Sequence, residues 1–532
     1  MMQAGETLSK ALNRLGFYTL MYPEYPSRIR GGDNHIQVVF STEKFLAPQE
    51  KIDLLLAFGK KNFEEHRKEG SENFVGFEGS EIGLDKIAEE LGNPLVLNTA
   101  GLGFIWAVLG LELNILAEQL AEDFADKEMI RDLNIKAAKS GFEIGPTSPR
   151  LTRFRGGKEK IVNLTGNEAL VRGILAAETD LAAVYPMTPI NEILRLLAKS
   201  KVKLFRPEDE IAGINAALGA AFAGGRAMVA TSGGGFSLMV EALGMAGMAE
   251  IPVVIVVGQR TGPSTGMATF SSQADLNFVI NAGQGEFPRI VLAPGDLQET
   301  YFLGAEAFNL AEKYQVPVIL LTDKYLAESR FSTKTEGLEK KIKINRGKLF
   351  EELGGIEKVG GYKRYELTKD GISPRAFPGQ TTFLTNSYEH DEWGFSSDDS
   401  ENRQKMMGKR MKKLEKLEKE FGGVEEFEGV KGWDKGTTLV GWGSTKEIIL
   451  DVLKDFPEFN FVHFWRLWPF PQEAKNILGK AQKIVVIEGN FSGQLADLIE
   501  KETGIKSKRI LKDNGRPFFK EELREKILNP NF

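Results

Sequence analysis

Four short runs carry residue types that can do chemistry. In the first, Glu210 follows Pro207-Glu208-Asp209 and leads into IAGINAALGAAFAGG, a small and apolar helical pattern. Pro207 is expected in the first helical turn, and three acids there complement the positive end of the helix macrodipole. Gly219 and Gly224 lie nine and fourteen residues beyond Glu210, a spacing that the macrodipole does not explain. In the second, Thr231-Ser232-Gly233-Gly234-Gly235 stands between an apolar strand pattern and a helical one. Such a loop exposes backbone N–H groups to an anion, or simply makes a tight packing turn. It is not a Walker A loop, because no Gly-Lys-Ser/Thr follows. In the third, Arg260 follows the run IPVVIVVGQ directly. An arginine at a strand's carboxyl end clamps a carboxylate with two hydrogen bonds, unless it is only a turn residue. In the fourth, Thr188 lies between Pro186-Met187 and Pro189 after LAAV, held in a rigid loop or in a merely proline-stiffened turn.

The elements that must position these runs are strands of a parallel sheet. AAVYPM, AMVATS, IPVVIVVG, RIVLAP and PVILLTD are continuous apolar runs separated by helical patterns, as in strands buried on both faces. Ligands of such sheets bind beyond the carboxyl ends of the strands, where all four runs fall. The expected fold class is therefore α/β with several domains. Strands HIQVVFS, KIDLLLAFG and NPLVLNTA and two long helical patterns predict a first α/β domain over 1–145. Residues 146–160, with prolines, glycines and basic residues, predict a linker. The parallel-sheet domain is expected over 161–332 and an elaborated connection over 333–436, its helix MMGKRMKKLEKLEKEFGG read as solvated and laced with opposite charges. A last α/β domain is expected over 437–532, from TTLVGWGS, NFVHFWRL and KIVVIEGN.

Composition removes several classes of chemistry. With no cysteine among 532 residues, the chain has no thiolate for an iron–sulfur cluster, a nucleophile or a disulfide. It has four histidines, none with a second at metal-ligand sequence spacing, so no metal is expected on this chain. Glu389-His390-Asp391-Glu392 does not change this, because consecutive residues cannot all face one ion. Trp465, Trp468 and Phe470 are expected in core and interface packing. A net charge of −6 without a basic stripe argues against nucleic acid. The absence of a long apolar run or a secretory pattern predicts a cytoplasmic protein without a membrane span.

Taken together, YPMTP, the EDE-led helix, TSGGGFSLMVEALGMA and QRTGPSTGMATFSSQADL resemble the α subunits of 2-oxoacid:ferredoxin oxidoreductases in order and spacing. The resemblance continues through GEFPRIVLAPG, EHDEWG, PFPQEAKNIL and VVIEGNFSGQLADLI, and YPSRIRGG resembles the γ-type domain fused ahead of α in many members. It covers nearly the whole chain, and the fused layout is most like the 2-oxoglutarate enzymes. It implies a γ-type domain, a pyrimidine-binding domain for thiamine diphosphate and a transketolase-like C-terminal domain. Glu210 would be the glutamate that favours the imino tautomer of the cofactor's aminopyrimidine. Thr188 and Arg260 would contact the substrate carboxylate, and Pro186, Met187, Ser232, Gly233 and Gly234 would lie at the cofactor. The implied reaction is CoA-dependent oxidative decarboxylation of a 2-oxoacid with reduction of ferredoxin.

The resemblance also implies a β-type subunit that carries the GDG…N motif with its Mg2+ and the [4Fe-4S] ligands and shares the thiamine diphosphate, in a hetero-oligomer; the absence of cysteine and of that motif here agrees with such a division. Two departures stand out. Met187 and Ile190-Asn191 replace the usual YPITPS, which bears on substrate choice and leaves pyruvate and branched-chain or aryl 2-oxoacids as alternatives. The usual opening strand and Gly-rich loop of the γ-type domain precede the point where MMQAGETLSKAL begins, implying a truncated domain or a misassigned start. A non-redox transketolase-like component and a non-catalytic assembly subunit are the readings outside this reaction.

Overall fold

A computed structural model describes residues 1–27, 33–44, 47–146, 161–350, 361–433 and 436–529. The expected linker lies almost wholly outside the described residues, as does Arg28-Ile29-Arg30-Gly31-Gly32 of the YPSRIRGG run. The chain divides into two compact units. One comprises Met1–Leu164, Ser329–Thr335 and Phe518–Phe532, and the other Thr165–Glu328 and Glu336–Pro517. Among the described residues no helix is long and apolar enough to cross a membrane.

The first unit contains strands β1 (Tyr18–Glu24), β2 (His35–Ser41), β3 (Ile52–Ala57), β4 (Gly70–Glu78), β5 (Ile161–Thr165) and β12 (Arg330–Lys334). Four of them form a sheet in the order β2-β1-β12-β5, with β1 antiparallel to β2 from Tyr18↔Ser41 to Glu24↔His35. Strands β3 and β4 pair in parallel, an arrangement that needs a crossover, here containing the helix Lys60–His66. The helices Leu97–Val108 and Glu128–Glu143 cross closely. A Cβ on Gly103 would lie 1.9 Å from the Ala138 carbonyl oxygen, and one on Gly141 would lie 1.9 Å from that of Ala100. Thr99 also donates to Asn134 Oδ1 across this contact at 2.6 Å. The run NPLVLNTA is not the expected strand. Asn93 caps a short 3-10 turn, accepting from the Leu95 N–H at 2.9 Å, Pro94 occupies its first position, and the helix starts at Leu97.

The second unit holds two sheets. Strands β6 (Leu181–Val184), β7 (Lys203–Phe205), β8 (Ala227–Ser232), β9 (Val253–Gln259), β10 (Ile290–Leu292), β11 (Pro317–Asp323) and β16 (Arg466–Trp468) form one, in the order β16-β10-β11-β9-β8-β6-β7. The pairs from β7 to β11 are parallel, and every residue of β8, β9 and β11 is buried, as their unbroken apolar runs require. Strands β13 (Val424–Phe427), β14 (Thr437–Trp442), β15 (Asn460–Phe464), β17 (Lys483–Glu488) and β18 (Lys508–Leu511) form the other, in the order β13-β15-β14-β17-β18. The run NFVHFWRL is therefore not one strand. It splits at Trp465, and its second half joins the seven-stranded sheet antiparallel to β10.

The boundary expected between 332 and 333 falls inside the segment Ser329–Thr335, which belongs to the first unit, while most of the expected connection belongs to the second. The helix expected to be solvated is partly buried. In Ser400–Lys412, Met406, Lys409 and Arg410 are buried. Lys409 and Lys413 reach Glu250 at 2.7 and 2.6 Å, and Arg410 reaches Glu389 at 2.8 Å. The repulsion expected among these cations is relieved by carboxylates distant in sequence rather than one turn away. Glu250 is fully buried, and the two lysines and Arg364 more than offset the cost of that burial, holding its carboxyl well below the usual range.

Candidate functional site

The sheet order creates a crevice between β6 and β8. The chain leaves β6 toward β7 on one side and leaves β8 toward β9 on the other, so the connections diverge at the carboxyl ends. Loop 185–190 follows β6, the run beginning at Ser232 ends β8, and Arg260 follows β9.

The helix Glu210–Phe222 begins after β7. Its N-cap is Asp209, whose carboxylate accepts the Ala212 N–H at 2.8 Å. Pro207 thus lies two residues before the cap and not in the first helical turn, because Asp209, whose carboxylate accepts an N-terminal N–H, sets the start of the helix after itself. The three acids have three different settings. Glu208 is exposed, Asp209 caps, and Glu210 is 3% exposed. Among the described residues the Glu210 carboxylate receives one hydrogen bond, from Thr231 Oγ1 at 3.3 Å. Gly235 makes this approach possible. A Cβ there would lie 2.0 Å from Thr231 Oγ1 and 2.3 Å from Glu210 Oε1.

Ser232 is fully buried, and among the described residues its Oγ has no hydrogen-bond partner. A Cβ on Gly233 would meet Asp275 Oδ2 at 2.3 Å, whereas one on Gly234 would meet nothing within 4 Å. Gly233 therefore admits a carboxylate of this chain, and Gly234 faces open space. An unpartnered buried hydroxyl, open space at Gly234 and an under-bonded buried carboxylate fit an organic group with polar edges, such as an aminopyrimidine.

The fold also joins the two residues expected to bind a substrate carboxylate. Arg260 Nη1 donates to the Thr188 carbonyl oxygen at 3.1 Å. The loop carrying Thr188 is fixed from below. Asn167 Nδ2 donates to the Pro189 oxygen at 3.0 Å, and the bare Gly258 lets Pro189 and Ile190 pack on the end of β9. Burial lowers the Arg260 pKa, against the opposing effect of Asp275. Burial raises the Asp275 carboxyl from 3.8 to about 6, although Arg260 pulls it down.

Asp275 and Gly235 were absent from the sequence-derived set. Asp275 lies near the end of the QRTGPSTGMATFSSQADL run, but neither its type nor its spacing singles it out there; its setting depends on Gly233, far away in the chain. The segment bearing it is tied to the five-stranded sheet. Gln273 Oε1 accepts from the Gly489 N–H at 2.8 Å, and its Nε2 donates to the Trp442 carbonyl at 2.8 Å. Asn490 Nδ2 donates to the Gln273 carbonyl at 3.1 Å, and Gln494 Nε2 to that of Ala274 at 2.8 Å. The run EHDEWG forms no metal cluster among the described residues. Glu389 pairs with Arg410, and the His390 ring lies against Tyr365, its Nδ1 2.8 Å from the Tyr388 carbonyl. Phe470 is buried and Trp465 packs edge-on to Phe421, as expected of packing residues.

This arrangement, an α/β chain with a glutamate-led helix beside a parallel-sheet crevice, matches known proteins along its length. Residues 172–409 match the family described as pyruvate flavodoxin/ferredoxin oxidoreductase, thiamine diphosphate-binding. Residues 1–144 match that described as pyruvate ferredoxin/flavodoxin oxidoreductase. The 2-oxoacid:ferredoxin oxidoreductase subunit alpha of Sulfolobus sp. is 34% identical, over 99% of this chain and 94% of its own. The 2-oxoglutarate synthase subunit KorA of Archaeoglobus fulgidus is 32% identical, over 64% of this chain and 90% of its own. The 2-oxoglutarate:ferredoxin oxidoreductase from Magnetococcus marinus, solved with 2-oxoglutarate, coenzyme A and succinyl-CoA bound, superposes with a TM-score of 0.89 at 29% identity. That match covers 99% of this chain and 96% of the other. The chain belongs to the 2-oxoacid:ferredoxin oxidoreductases, as an α-type subunit.

Proposed function

We propose that this chain, with a β-type subunit, carries out the CoA-dependent oxidative decarboxylation of 2-oxoglutarate. The balance is 2-oxoacid, CoA and two oxidised ferredoxins giving acyl-CoA, carbon dioxide, two reduced ferredoxins and a proton. The observation that carries this reading is the under-bonded, buried Glu210 beside the buried Ser232 hydroxyl and the open face of Gly234. Bound thiamine diphosphate supplies the nucleophilic carbon and the electron sink for decarboxylation.

The residues of this chain bind and orient. Glu210 would hold a proton shared with a ring nitrogen, in a site dry enough to strengthen that bond. Ser232 Oγ and the bare face of Gly234 would receive the ring, with Pro186 and Met187 on the facing loop. Arg260, braced by the Thr188 carbonyl, would present its remaining N–H groups to the substrate carboxylate, with the Thr188 hydroxyl beside it. Mg2+ and a [4Fe-4S] cluster are assigned to the β-type subunit, since this chain has no cysteine to hold a cluster. The assembly is read as a cytoplasmic hetero-oligomer that passes electrons to ferredoxin.

The test is anaerobic co-expression with the β-type subunit, followed by CoA-dependent viologen reduction with 2-oxoglutarate, pyruvate and branched-chain 2-oxoacids. The reading expects reduction only with both chains and fastest with 2-oxoglutarate. Another preferred acid would revise the substrate alone. No reduction by an assembled, thiamine- and cluster-loaded complex would sink the reaction.

A further inference from the structure

The first unit contains a cluster that no sequence spacing signals. Asp33 precedes β2, His35 opens it, and His66 ends the helix Lys60–His66. One ligand atom from each of these three lies within 4.8 Å of the others. Both imidazoles turn toward the same carboxylate oxygen. His66 Nε2 is 2.5 Å from Asp33 Oδ2, and His35 Nδ1 is 3.5 Å from it. The rings sit 4.8 Å apart, centroid to centroid.

We infer that Asp33, His35 and His66 form a binding site for a divalent transition-metal ion of the zinc class. Three observations support this beyond proximity. First, His35 Nδ1 is buried and, among the described residues, makes no hydrogen bond, its nearest approach being the 3.5 Å to Asp33, so its bonding capacity at the centre of the cluster is unsatisfied. Second, each of two ligands has an outer partner. Asn62 Nδ2 donates to the other oxygen of Asp33 at 2.7 Å, and Glu69 Oε2 lies 3.4 Å from the other nitrogen of His66. A carboxylate behind a histidine and an amide behind a carboxylate are the supports that orient metal ligands. Third, the set is of one chemical kind. Two imidazoles and a carboxylate suit Zn2+, Co2+, Ni2+ or Fe2+ rather than Mg2+, and three protein ligands leave positions for water or substrate.

A tetrahedral ion with bonds of about 2.0–2.1 Å holds its ligand atoms roughly 3.4 Å apart. Closing the set on one ion would lengthen the 2.5 Å separation of Asp33 and His66 and draw His35, whose side chain is 35% exposed, toward the other two. The opposing account is a metal-free pair in which protonated His66 simply neutralises Asp33.

The experiment uses the full-length chain without a polyhistidine tag. Co2+ is titrated while its visible d–d bands are followed, and Zn2+ is then titrated by calorimetry. The expected result is one equivalent of Zn2+ at micromolar affinity or tighter, displacing Co2+ from a site whose bands report nitrogen and oxygen ligands. His35→Ala, at a position about one-third exposed, should weaken binding about 100-fold or more, and His66→Gln should do the same. Asn62→Ala, which removes only an outer support, should weaken it about 10-fold. Circular dichroism confirms that each variant folds. Binding no tighter than about 1 mM overturns the site, as does binding of equal strength in both histidine variants.

Discussion

Two buried glutamates stand at the carboxyl ends of the two sheets in the second unit, and they differ in their partners. Glu488, at the end of β17, is fully buried and accepts four hydrogen bonds. These come from the Leu495 and Ala496 N–H groups at 2.8 and 3.0 Å, Asn490 Nδ2 at 2.9 Å and Trp442 Nε1 at 3.2 Å. Glu210, nearly as buried, accepts one long bond from a hydroxyl. Burial pushes the Glu488 carboxyl up while its four donors pull it down. A saturated carboxylate ties a helix start to a strand end and has nothing left to offer a ligand. An unsaturated one carries an uncompensated desolvation cost, which proteins retain where a ligand supplies the missing bond. The number of donors, more than burial, separates this structural glutamate from the one proposed to meet the cofactor.

The sharpest way to break this comparison is to remove each carboxylate in turn. Glu210→Gln is expected to cut turnover of the assembled enzyme about 100- to 10,000-fold, while its unfolding midpoint moves by no more than about 2 °C. Glu488→Ala is expected to do the reverse. It strands four donors and costs about 3 kcal/mol or more of stability, leaving turnover per folded molecule near that of the unaltered chain. Thermal unfolding run alongside viologen assays decides this, and an exchange of the two outcomes would overturn the assignment.

Gly235→Ala comes next, because its Cβ would occupy the space shared by Thr231 and Glu210. Turnover should fall about 100-fold, the scale of a misplacement near 1 Å, with thiamine diphosphate binding weakened in the same titration. Arg260→Lys keeps the charge but loses the planar fork, so KM for the 2-oxoacid should rise about 10-fold, equivalent to ~1.4 kcal/mol, with a smaller change in kcat.

The smallest effect concerns pH. Asp275 keeps its proton to about 6 in the folded chain, against 3.8 for the ordinary carboxyl. Between those values the native state binds more protons than the unfolded one, so this group's contribution to stability falls as pH rises. Asp275→Asn should remove that slope, leaving the variant at least as stable as the parent at pH 7. Unfolding midpoints from pH 4 to 7 measure it; a parallel fall in both proteins would assign the slope to other groups.

The parallel sheet was legible because β8, β9 and β11 are buried throughout and so read as unbroken apolar runs. The positions of Ser232 and Arg260 at strand ends, and of the Thr188 loop after β6, could be read from such runs, and the fold brings the Thr188 loop and Arg260 together. Gly235, Asp275 and Gln273 were not, since their meaning lies in partners elsewhere in the chain. The same holds for Lys409 and Lys413, whose charge pattern suggested solvent until Glu250 was placed between them. NPLVLNTA misled because its apolar content suits a strand equally well, while the decisive Asn93 cap is local and polar. His35 and His66 met only through the crossover between β3 and β4 and the pairing of β2.

The placement of β16 has a consequence for how the molecule is made. β10 emerges from the ribosome long before Arg466–Trp468, the segment that covers its open edge. Until then the sheet presents unpaired N–H and carbonyl groups, the kind of edge that recruits other nascent chains. The first unit waits longer still, since Phe518–Phe532 belongs to it. Assembly therefore cannot finish from the N-terminus forward, and the final hundred residues act as the fastener for what was translated before them.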